Sequence, residues 1–319
     1  SAMNPLSLTI RHEFDGISEL GDTGKNSKTR FFADLPWRIH ARSECSDRTK
    51  NEKYLGIYIY CNEEDTNELW SCEHDSTVKV INRMDDGRSI ERKIITTFKA
   101  NSGSWGTFSL IDWDTLLKPE EGFIEDDKII VEANIHVKNV SGMQKSLSFD
   151  FSAPSVGSDV ALLIDGKKVH VAKQYLAQHS EVFKAMFFGE FVEKNKDEIE
   201  LQDINYEEFI EFLYVIYPCN RIITFDSYEF ILGLADRFQV KCASNAAESY
   251  LIKTNKLTVV KKLTIAEQYR LDLLIQHCVA GFASLTEIKD LWSQLKNLSD
   301  ATNLAIMDRM MQLIELIPV

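Results

Sequence analysis

The chain has 319 residues, of which 44% are hydrophobic and 27% are charged, and its formal net charge is −13. This length predicts about two compact domains, and the modest glycine and proline content excludes collagen-like and low-complexity architectures. The acidic balance disfavours binding to nucleic acid or to an anionic membrane surface, because both need clustered basic side chains.

The first half of the sequence alternates apolar and polar residues with the period of β-strands. Turn-forming residues separate these segments, and Asp85-Asp86-Gly87 predicts a hairpin turn. The predicted strands cover residues 7–14, 37–42, 54–61, 77–81, 94–98, 129–137 and 145–151. Short, regularly spaced strands of this kind indicate an antiparallel β-sandwich.

A run of small residues at 153–158 predicts a linker, after which the pattern becomes helical. Asn205 followed by Glu208 is a capping pattern, and Pro218 ends the helix that it starts. The other predicted elements of this half are helices at 228–238, 271–282 and 301–317 and strands at 160–164 and 198–201. The fold class is therefore predicted to be multi-domain α+β.

Cysteine usage and hydropathy indicate the compartment. Six cysteines without a CxxC pair suggest buried free thiols in a reducing compartment. The longest apolar runs, such as residues 212–217, fall far short of the roughly 20 residues that a membrane span needs. The start of the sequence has no signal-peptide pattern. We therefore expect a soluble protein of the cytoplasm or nucleus.

No motif supports catalysis or metal binding. His277-Cys278 lies in the middle of a predicted helix, where adjacent side chains point apart. The run Cys72-Glu73-His74-Asp75 lacks a second ligand pair at zinc-site spacing, and residues 21–25 have the wrong glycine spacing for a phosphate loop. We therefore predict no enzymatic activity, no metal and no cofactor.

Two segments are candidates for binding other proteins. Trp105 lies between two glycines and is either a core residue of the sandwich or a platform at a sheet edge. Phe191-Val192 lies within a polar run, 189–198, that joins a helix to a strand. These two apolar residues either turn inward or contact a partner.

Several segments, in the right order, resemble known domains. The first half is similar to a MATH domain at 35–39, 54–58, 70–72, 104–106 and 122–129. The second half is similar to a BTB domain at 158–160, 169–176, 179–183, 209–214 and 235–238. Together they resemble nematode-type MATH–BTB (BATH) proteins. The resemblance implies a MATH domain at 4–153, a BTB/POZ domain at 154–255 and a BACK-like helical extension at 256–319.

The resemblance implies a substrate-recognition adaptor of a cullin-3 RING ubiquitin ligase. In this family the MATH domain takes a short extended peptide along a sheet edge. Ser76, Thr96 and Thr107 stand where better-known receptors carry aromatic residues, which implies a different, more polar peptide motif. The residues placed in the peptide site by position are Tyr58, Ser76, Thr96, Trp105, Gly106 and Thr107.

The resemblance also places two sites in the BTB domain. Phe191, Val192 and Glu193 fit the hydrophobic–any–Glu signature that contacts cullin-3. Asp159 and Lys173 fall where the family keeps a charged pair near the two-fold interface of a homodimer; the alternative is a solvated surface pair. The linker at 153–158 is too short for the helix that many BTB dimers exchange, which weakens the prediction of a dimer.

Two other functions remain open at this point. The chain could be a scaffold that joins partners through both domains without a cullin. It could also belong with ubiquitin-specific hydrolases, since one such family carries a MATH domain. A hydrolase would need catalytic cysteine and histidine segments that this sequence does not contain.

Overall fold

The computed structural model describes residues 6–62, 69–100, 102–143, 149–189, 197–219 and 221–315. The chain forms two compact units, Ser1–Lys145 and Ser146–Val319. Each unit has its own cluster of buried apolar residues. The first unit consists mainly of antiparallel strands and the second of helices with a small sheet, so the predicted mixed α+β fold is confirmed.

The first unit contains two antiparallel sheets. One sheet comprises β1 (Leu6–Phe14), β6 (Ser71–Val80), β7 (Ile90–Lys99), β9 (Ile124–Glu125) and β10 (Lys128–Ser141). The other comprises β2 (Lys25–Asn26), β3 (Arg30–Phe32), β4 (Leu35–Glu44), β5 (Tyr54–Cys61) and β8 (Ser104–Asp112), and the helix α1 (Trp113–Leu117) follows it. The strand orders are β1-β10-β6-β7 and β2-β4-β5-β8, so β7 and β8 are outermost strands.

The core of the sandwich follows from the alternation of side chains along each strand. On β4, Ile39 and Ala41 are buried, and on β5, Ile59 and Ile57 are buried opposite them. Burying these apolar side chains against the other sheet stabilises the unit at roughly 25 cal/mol per Å² of apolar surface. Tyr58 and Tyr60, which alternate with these residues on β5, point to the outer face and are half-buried.

Strand β8 was not among the predicted strands, although it completes the second sheet. Its first residues include Gly106, Thr107 and Ser109, which interrupt the apolar alternation on which strand prediction depends. The predicted turn at 85–87 does connect β6 to β7, as a short 3₁₀ segment in which the Asp85 carboxylate accepts a hydrogen bond from the Gly87 amide at 2.9 Å.

The predicted strand at 145–151 is wrong over its described part, because residues 149–151 form no strand. Phe149 and Phe151 instead pack into the core of the second unit. Their rings stack at a centroid distance of 5.9 Å, and Phe151 meets Tyr217 edge-on at 4.9 Å. The apolar alternation was real, but these rings bury their surface against helices rather than in the sandwich.

The second unit has a three-stranded sheet covered by helices. Its strands are β11 (Val160–Ile164), β12 (Lys167–Val171) and β13 (Glu198–Glu200), in the order β12-β11-β13. Strand β12 was not predicted, although Asp165-Gly166 is a hairpin signal and both residues have positive φ angles. The helices are α2 (Lys173–His179), α3 (Glu181–Phe188), α4 (Tyr206–Ile216), α5 (Tyr228–Phe238), α6 (Lys241–Lys253), α7 (Val259–Tyr269), α8 (Asp272–Gly281), α9 (Leu285–Leu295) and α10 (Asp300–Glu315).

The predicted helix boundaries hold where a cap or a breaker specified them. The Asn205 side chain accepts a hydrogen bond from the Glu208 amide at 3.1 Å, and α4 ends two residues before Pro218. On α8, Cys278 is buried and His277 is exposed, so these neighbours do point apart as predicted. None of the helices in the described parts of the chain has the length and apolarity to cross a membrane.

Candidate functional site

The candidate site lies where the two outermost strands β7 and β8 run beside each other, one from each sheet. Within the described residues, no further strand pairs with the outer side of either strand. Such strands present unpaired backbone amides and carbonyls, to which another extended chain can bind. We call this surface the β7–β8 edge; it carries Thr96 on β7 and Trp105, Gly106 and Thr107 on β8.

Trp105 is a surface residue, and the interpretation of it as a core residue is wrong. It pairs with Ile59, which is fully buried, so both side chains lie on the face turned towards the other sheet. Trp105 nevertheless keeps 58% of its surface exposed, because β8 is the outermost strand of its sheet. The indole is therefore available to a partner at the β7–β8 edge.

Gly106 and Tyr58 are cross-strand partners on the outer face of the same sheet. A Cβ atom at position 106 would lie 2.1 Å from the Ile57 carbonyl oxygen and 2.7 Å from Cδ1 of Tyr58. Only glycine fits at this distance, so the tyrosine ring can lie against the β8 backbone. The structure thus brings Tyr58 to β8 on the face opposite to Trp105.

The Tyr58 hydroxyl is held by two residues that sequence reasoning missed. It donates a hydrogen bond to the Glu44 carboxylate and accepts one from the Arg42 guanidinium at 3.3 Å. Arg42 also lies over the Tyr58 ring at 4.7 Å and pairs with Glu44 at 2.7 Å. Burial, together with the bond to Glu44, raises the pKa of Tyr58 to about 12, so the phenol stays uncharged. The sequence signal for this arrangement was the spacing of Arg42 and Glu44, which lie two residues apart and therefore on one face of a strand.

The three residues that stand where better-known receptors carry aromatic side chains differ in exposure. Thr96 and Thr107 are half-buried at the β7–β8 edge, whereas Ser76 is 2% exposed and lies beneath the surface. The Ser76 hydroxyl is hydrogen-bonded to Nδ1 of His74 at 2.6 Å, and His74 is completely buried. In the sequence, His74 stands out only as part of the run 72–75, because its pairing with Thr96 depends on which strand lies beside β6.

The side chains of residues 72–75 do not point towards a common metal site. Cys72 and His74 are buried in the sandwich, whereas Glu73 is exposed and Asp75 pairs with Lys138 at 2.9 Å. This is the ordinary alternation of a β-strand. Among the described residues, no group of three His, Cys, Asp or Glu side chains is arranged to hold a metal ion.

Acidification is expected to destabilise the sandwich through His40 and His74. The pKa of each imidazole is lowered from 6.5 to about 4, mainly by burial and, for His40, also by the nearby Arg42 and Arg38. Between pH 6.5 and 4, the unfolded chain therefore binds protons that the folded chain rejects. The free energy of unfolding should fall by up to about 1.4 kcal/mol per pH unit for each ring as the pH drops through this range.

Urea denaturation at several pH values measures this loss. The variants His40→Gln and His74→Gln should each show a smaller difference between the urea midpoints at pH 6.5 and pH 4 than the unaltered chain does. His136→Gln, which changes a histidine on the outer face of the β10 strand, is the matched control. A midpoint that stays constant from pH 6.5 to pH 4 would contradict the expectation.

The predicted cullin signature Phe191, Val192 and Glu193 lies outside the described residues. The elements on either side are described: α3 ends at Phe188 and β13 begins at Glu198. The segment therefore joins a helix to a strand, as the sequence indicated. Phe188 keeps 51% of its surface exposed, an aromatic residue at the surface immediately before this segment.

Asp159 and Lys173 are in contact, but through the backbone of Lys173. The Asp159 carboxylate accepts a hydrogen bond at 2.7 Å from the Lys173 amide, which is the first residue of α2. In this position Asp159 satisfies one of the free amides at the helix start. Asp159 is exposed and Lys173 is half-exposed in the single chain, and their place in a dimer stays a prediction.

Comparison with known proteins agrees with this architecture. Residues 13–135 match the family profile of the MATH domain, and residues 150–255 match that of the BTB/POZ domain. Both are protein-interaction modules, so the chain is a two-domain protein built from modules of this class.

Three relatives cover most of the chain. BTB and MATH domain-containing protein 38 of Caenorhabditis elegans is 33% identical over 89% of this chain and 74% of its own length. Proteins 36 and 15 of the same series and organism are each 30% identical, over 96% and 86% of this chain and 97% and 96% of their own lengths. The chain belongs to the family of BTB and MATH domain-containing proteins.

Proposed function

We propose that this protein is a substrate-recognition adaptor of a cullin-3 RING ubiquitin ligase. The MATH domain, assigned to residues 4–153, binds a short extended peptide of the target. The BTB domain, 154–255, binds cullin-3 and self-associates, and the helices at 256–319 extend it as a BACK-like region. The chain is not itself an enzyme; it brings lysines of the target close to the ubiquitin-loaded enzyme, and its catalytic contribution is proximity.

The observation that carries the proposal is the exposed Trp105 at an unpaired strand edge. An extended peptide that pairs with β8 would place alternate side chains on the two faces of the sheet. One set would meet Trp105 and Thr107, and the other would meet Tyr58 across Gly106. A large aromatic residue beside open backbone groups is the combination that anchors a short peptide.

Cullin binding is expected to depend on Phe191. An aromatic side chain that enters a pocket is a typical hot spot, and a neighbouring carboxylate orients it. Titration of the cullin-3 amino-terminal domain into the full chain should give a dissociation constant below tens of micromolar. Phe191→Ala should weaken this binding by about ten-fold or more, and Glu193→Ala should weaken it less.

Phe108→Ala is the matched control, since it removes a partly exposed phenylalanine from the other domain. It should leave the cullin titration unchanged. If cullin-3 does not bind the unaltered chain with a dissociation constant below tens of micromolar, the second candidate, a cullin-independent scaffold, is favoured. The protein-interaction domains alone support that candidate.

The self-association of the BTB domain is proposed through the surface near Asp159 and Lys173. Two peptide sites held in one dimer would act together on targets with repeated motifs, and avidity could rise by roughly 10²–10⁴-fold. Sedimentation equilibrium of the full chain distinguishes dimer from monomer, and a monomer at all accessible concentrations would remove this part of the proposal.

A further inference from the structure

The last described helix, α10, carries apolar side chains on two of its faces. One face packs into the helical core and buries Thr302, Ile306 and Leu313. On the other face, large apolar side chains keep between 47% and 61% of their surface exposed. We call this exposed row the α10 stripe; its members are Leu304, Met307, Met311 and Ile314.

The rotation of α10 about its own axis is fixed by hydrogen bonds. The Arg309 guanidinium donates to the Phe282 carbonyl from Nε at 3.2 Å and from Nη2 at 2.9 Å. The Asn303 amide group donates to the Leu298 carbonyl at 2.9 Å. Because turning the helix would break these bonds, the α10 stripe stays at the surface while the core face stays buried.

The spacing of the α10 stripe is that of a heptad repeat. Its members follow one another at three, four and three residues, which are the a and d positions of a coiled-coil helix. Side chains with this spacing interdigitate with those of a second helix packed nearly parallel or antiparallel to the first. From Leu304 to Ile314 the row is about 15 Å long. A helix is therefore the partner element that fits it.

The exposed charges beside the α10 stripe are acidic. Asp308 and Glu315 each follow a stripe residue directly, and Asp300 is exposed at the start of the helix. Arg309 is the one basic residue in the sequence of α10, and it is bound to Phe282. A second copy of this helix would add further acidic side chains and gain no attraction from them. Anionic membrane surfaces bind helices with basic flanks instead.

We propose that the α10 stripe is a docking surface for a basic amphipathic helix of a partner protein. The partner places apolar side chains at heptad spacing against the stripe and lysine or arginine beside Asp308 and Glu315. Methionine side chains adapt to irregular apolar surfaces, and Met307 and Met311 form the middle of the stripe. Its residues belong neither to the proposed peptide site nor to the expected cullin signature, so this docking does not depend on the proposed function.

The test is a titration of the full chain with a fluorescent helical peptide of about four heptads. The peptide carries leucine at the a and d positions and lysine at the flanking positions, where repulsion between like charges keeps it from pairing with itself. A second peptide has glutamate in place of lysine. The lysine peptide should bind at least about ten-fold more tightly than the glutamate peptide, and added salt should reduce this difference.

The double variant Met307→Gln and Met311→Gln removes the middle of the stripe. It should weaken binding of the lysine peptide by about ten-fold or more. Both methionines are exposed, and glutamine has a similar helix propensity, so the helix should persist. Met84→Gln, which changes an exposed methionine of the first unit, is the matched control and should leave the titration unchanged.

Reversal of the acidic flank gives a gain of binding that an unfolded variant could not show. Asp308→Lys combined with Glu315→Lys should make the chain prefer the glutamate peptide. Glu19→Lys combined with Asp22→Lys makes the same change in net charge at exposed positions of the first unit. This control should preserve the preference for the lysine peptide.

Three results would overturn the proposal. Equal binding of the lysine peptide to the unaltered chain and to the double glutamine variant would show only a general attraction to an acidic chain. Equal affinity for both peptides, or no binding of either at about 100 micromolar, would remove the basic helix as the partner. A dimer in sedimentation equilibrium that is lost on Met307→Gln and Met311→Gln would make a second copy of the chain the occupant.

Discussion

Trp105→Ala is expected to weaken the binding of peptides selected on the full chain from a random display library by about 30-fold or more, the largest functional effect of any single substitution in the sandwich. The indole is more than half exposed, lies beside the unpaired backbone of β8 and adjoins Gly106. Its removal takes away the largest apolar contact at the β7–β8 edge, while the buried Ile59 opposite it keeps the sheet intact. Fluorescence anisotropy of labelled peptides with the full chain measures the loss.

Trp292→Ala provides the matched control. Trp292 lies on α9 in the second unit and keeps 36% of its surface exposed, so its replacement removes a surface tryptophan that is not part of the sandwich. Peptide affinity should not change in this variant. Equal loss in both variants would mean that the indole at position 105 has no specific role in peptide binding.

Phe238→Ala should destabilise the second unit by about 3–5 kcal/mol, because it leaves a cavity in the centre of the helical core. The Phe238 ring is buried, stacks on Phe183 at 4.5 Å and meets Phe209 edge-on at 5.8 Å. A loss of this size is a large part of the stability of an ordinary domain. Urea denaturation of the full chain, followed by far-ultraviolet circular dichroism, reports it because most helices lie in this unit.

The same substitution at Phe188 tests whether burial is the cause. Phe188 ends α3 with 51% of its surface exposed, so Phe188→Ala should change the free energy of unfolding by no more than about 0.5 kcal/mol. A comparable loss at both positions would show that the aromatic cluster around Phe238 does not govern the stability of this unit.

Local signals in the sequence were sufficient for elements whose burial follows a regular period. The strand at 54–61 and the helix at 228–238 were predicted with the boundaries that the structure has, because apolar residues recur at periods of two and 3.6 along them. The start of α4 was predicted because Asn205 caps it directly. In these places, the sequence pattern and the tertiary packing require the same conformation.

The predictions from sequence were wrong where packing between distant segments determines the conformation or the exposure of a residue. The alternation of apolar residues at 149–151 is typical of a strand. Phe149 and Phe151 instead pack against Tyr217 and Tyr214 in the second unit. The exposure of Trp105 depends on β8 being the outermost strand, which the strand order of the sheet determines and the local sequence does not. The family resemblance supplied the residues of the proposed peptide site, and the structure placed Arg42 and Glu44 on the Tyr58 hydroxyl.

The proposed adaptor joins a target to a cullin ligase within one molecule, and this bridging is its central function. It is tested by a reconstituted ubiquitin-transfer reaction with cullin-3, its RING partner and a fluorescent protein that carries the best selected peptide. Ubiquitin should be attached to this reporter in the presence of the unaltered chain, and both Trp105→Ala and Phe191→Ala should abolish the attachment. A reporter that binds the chain yet stays unmodified, or that is modified equally with both variants, would contradict the bridging function.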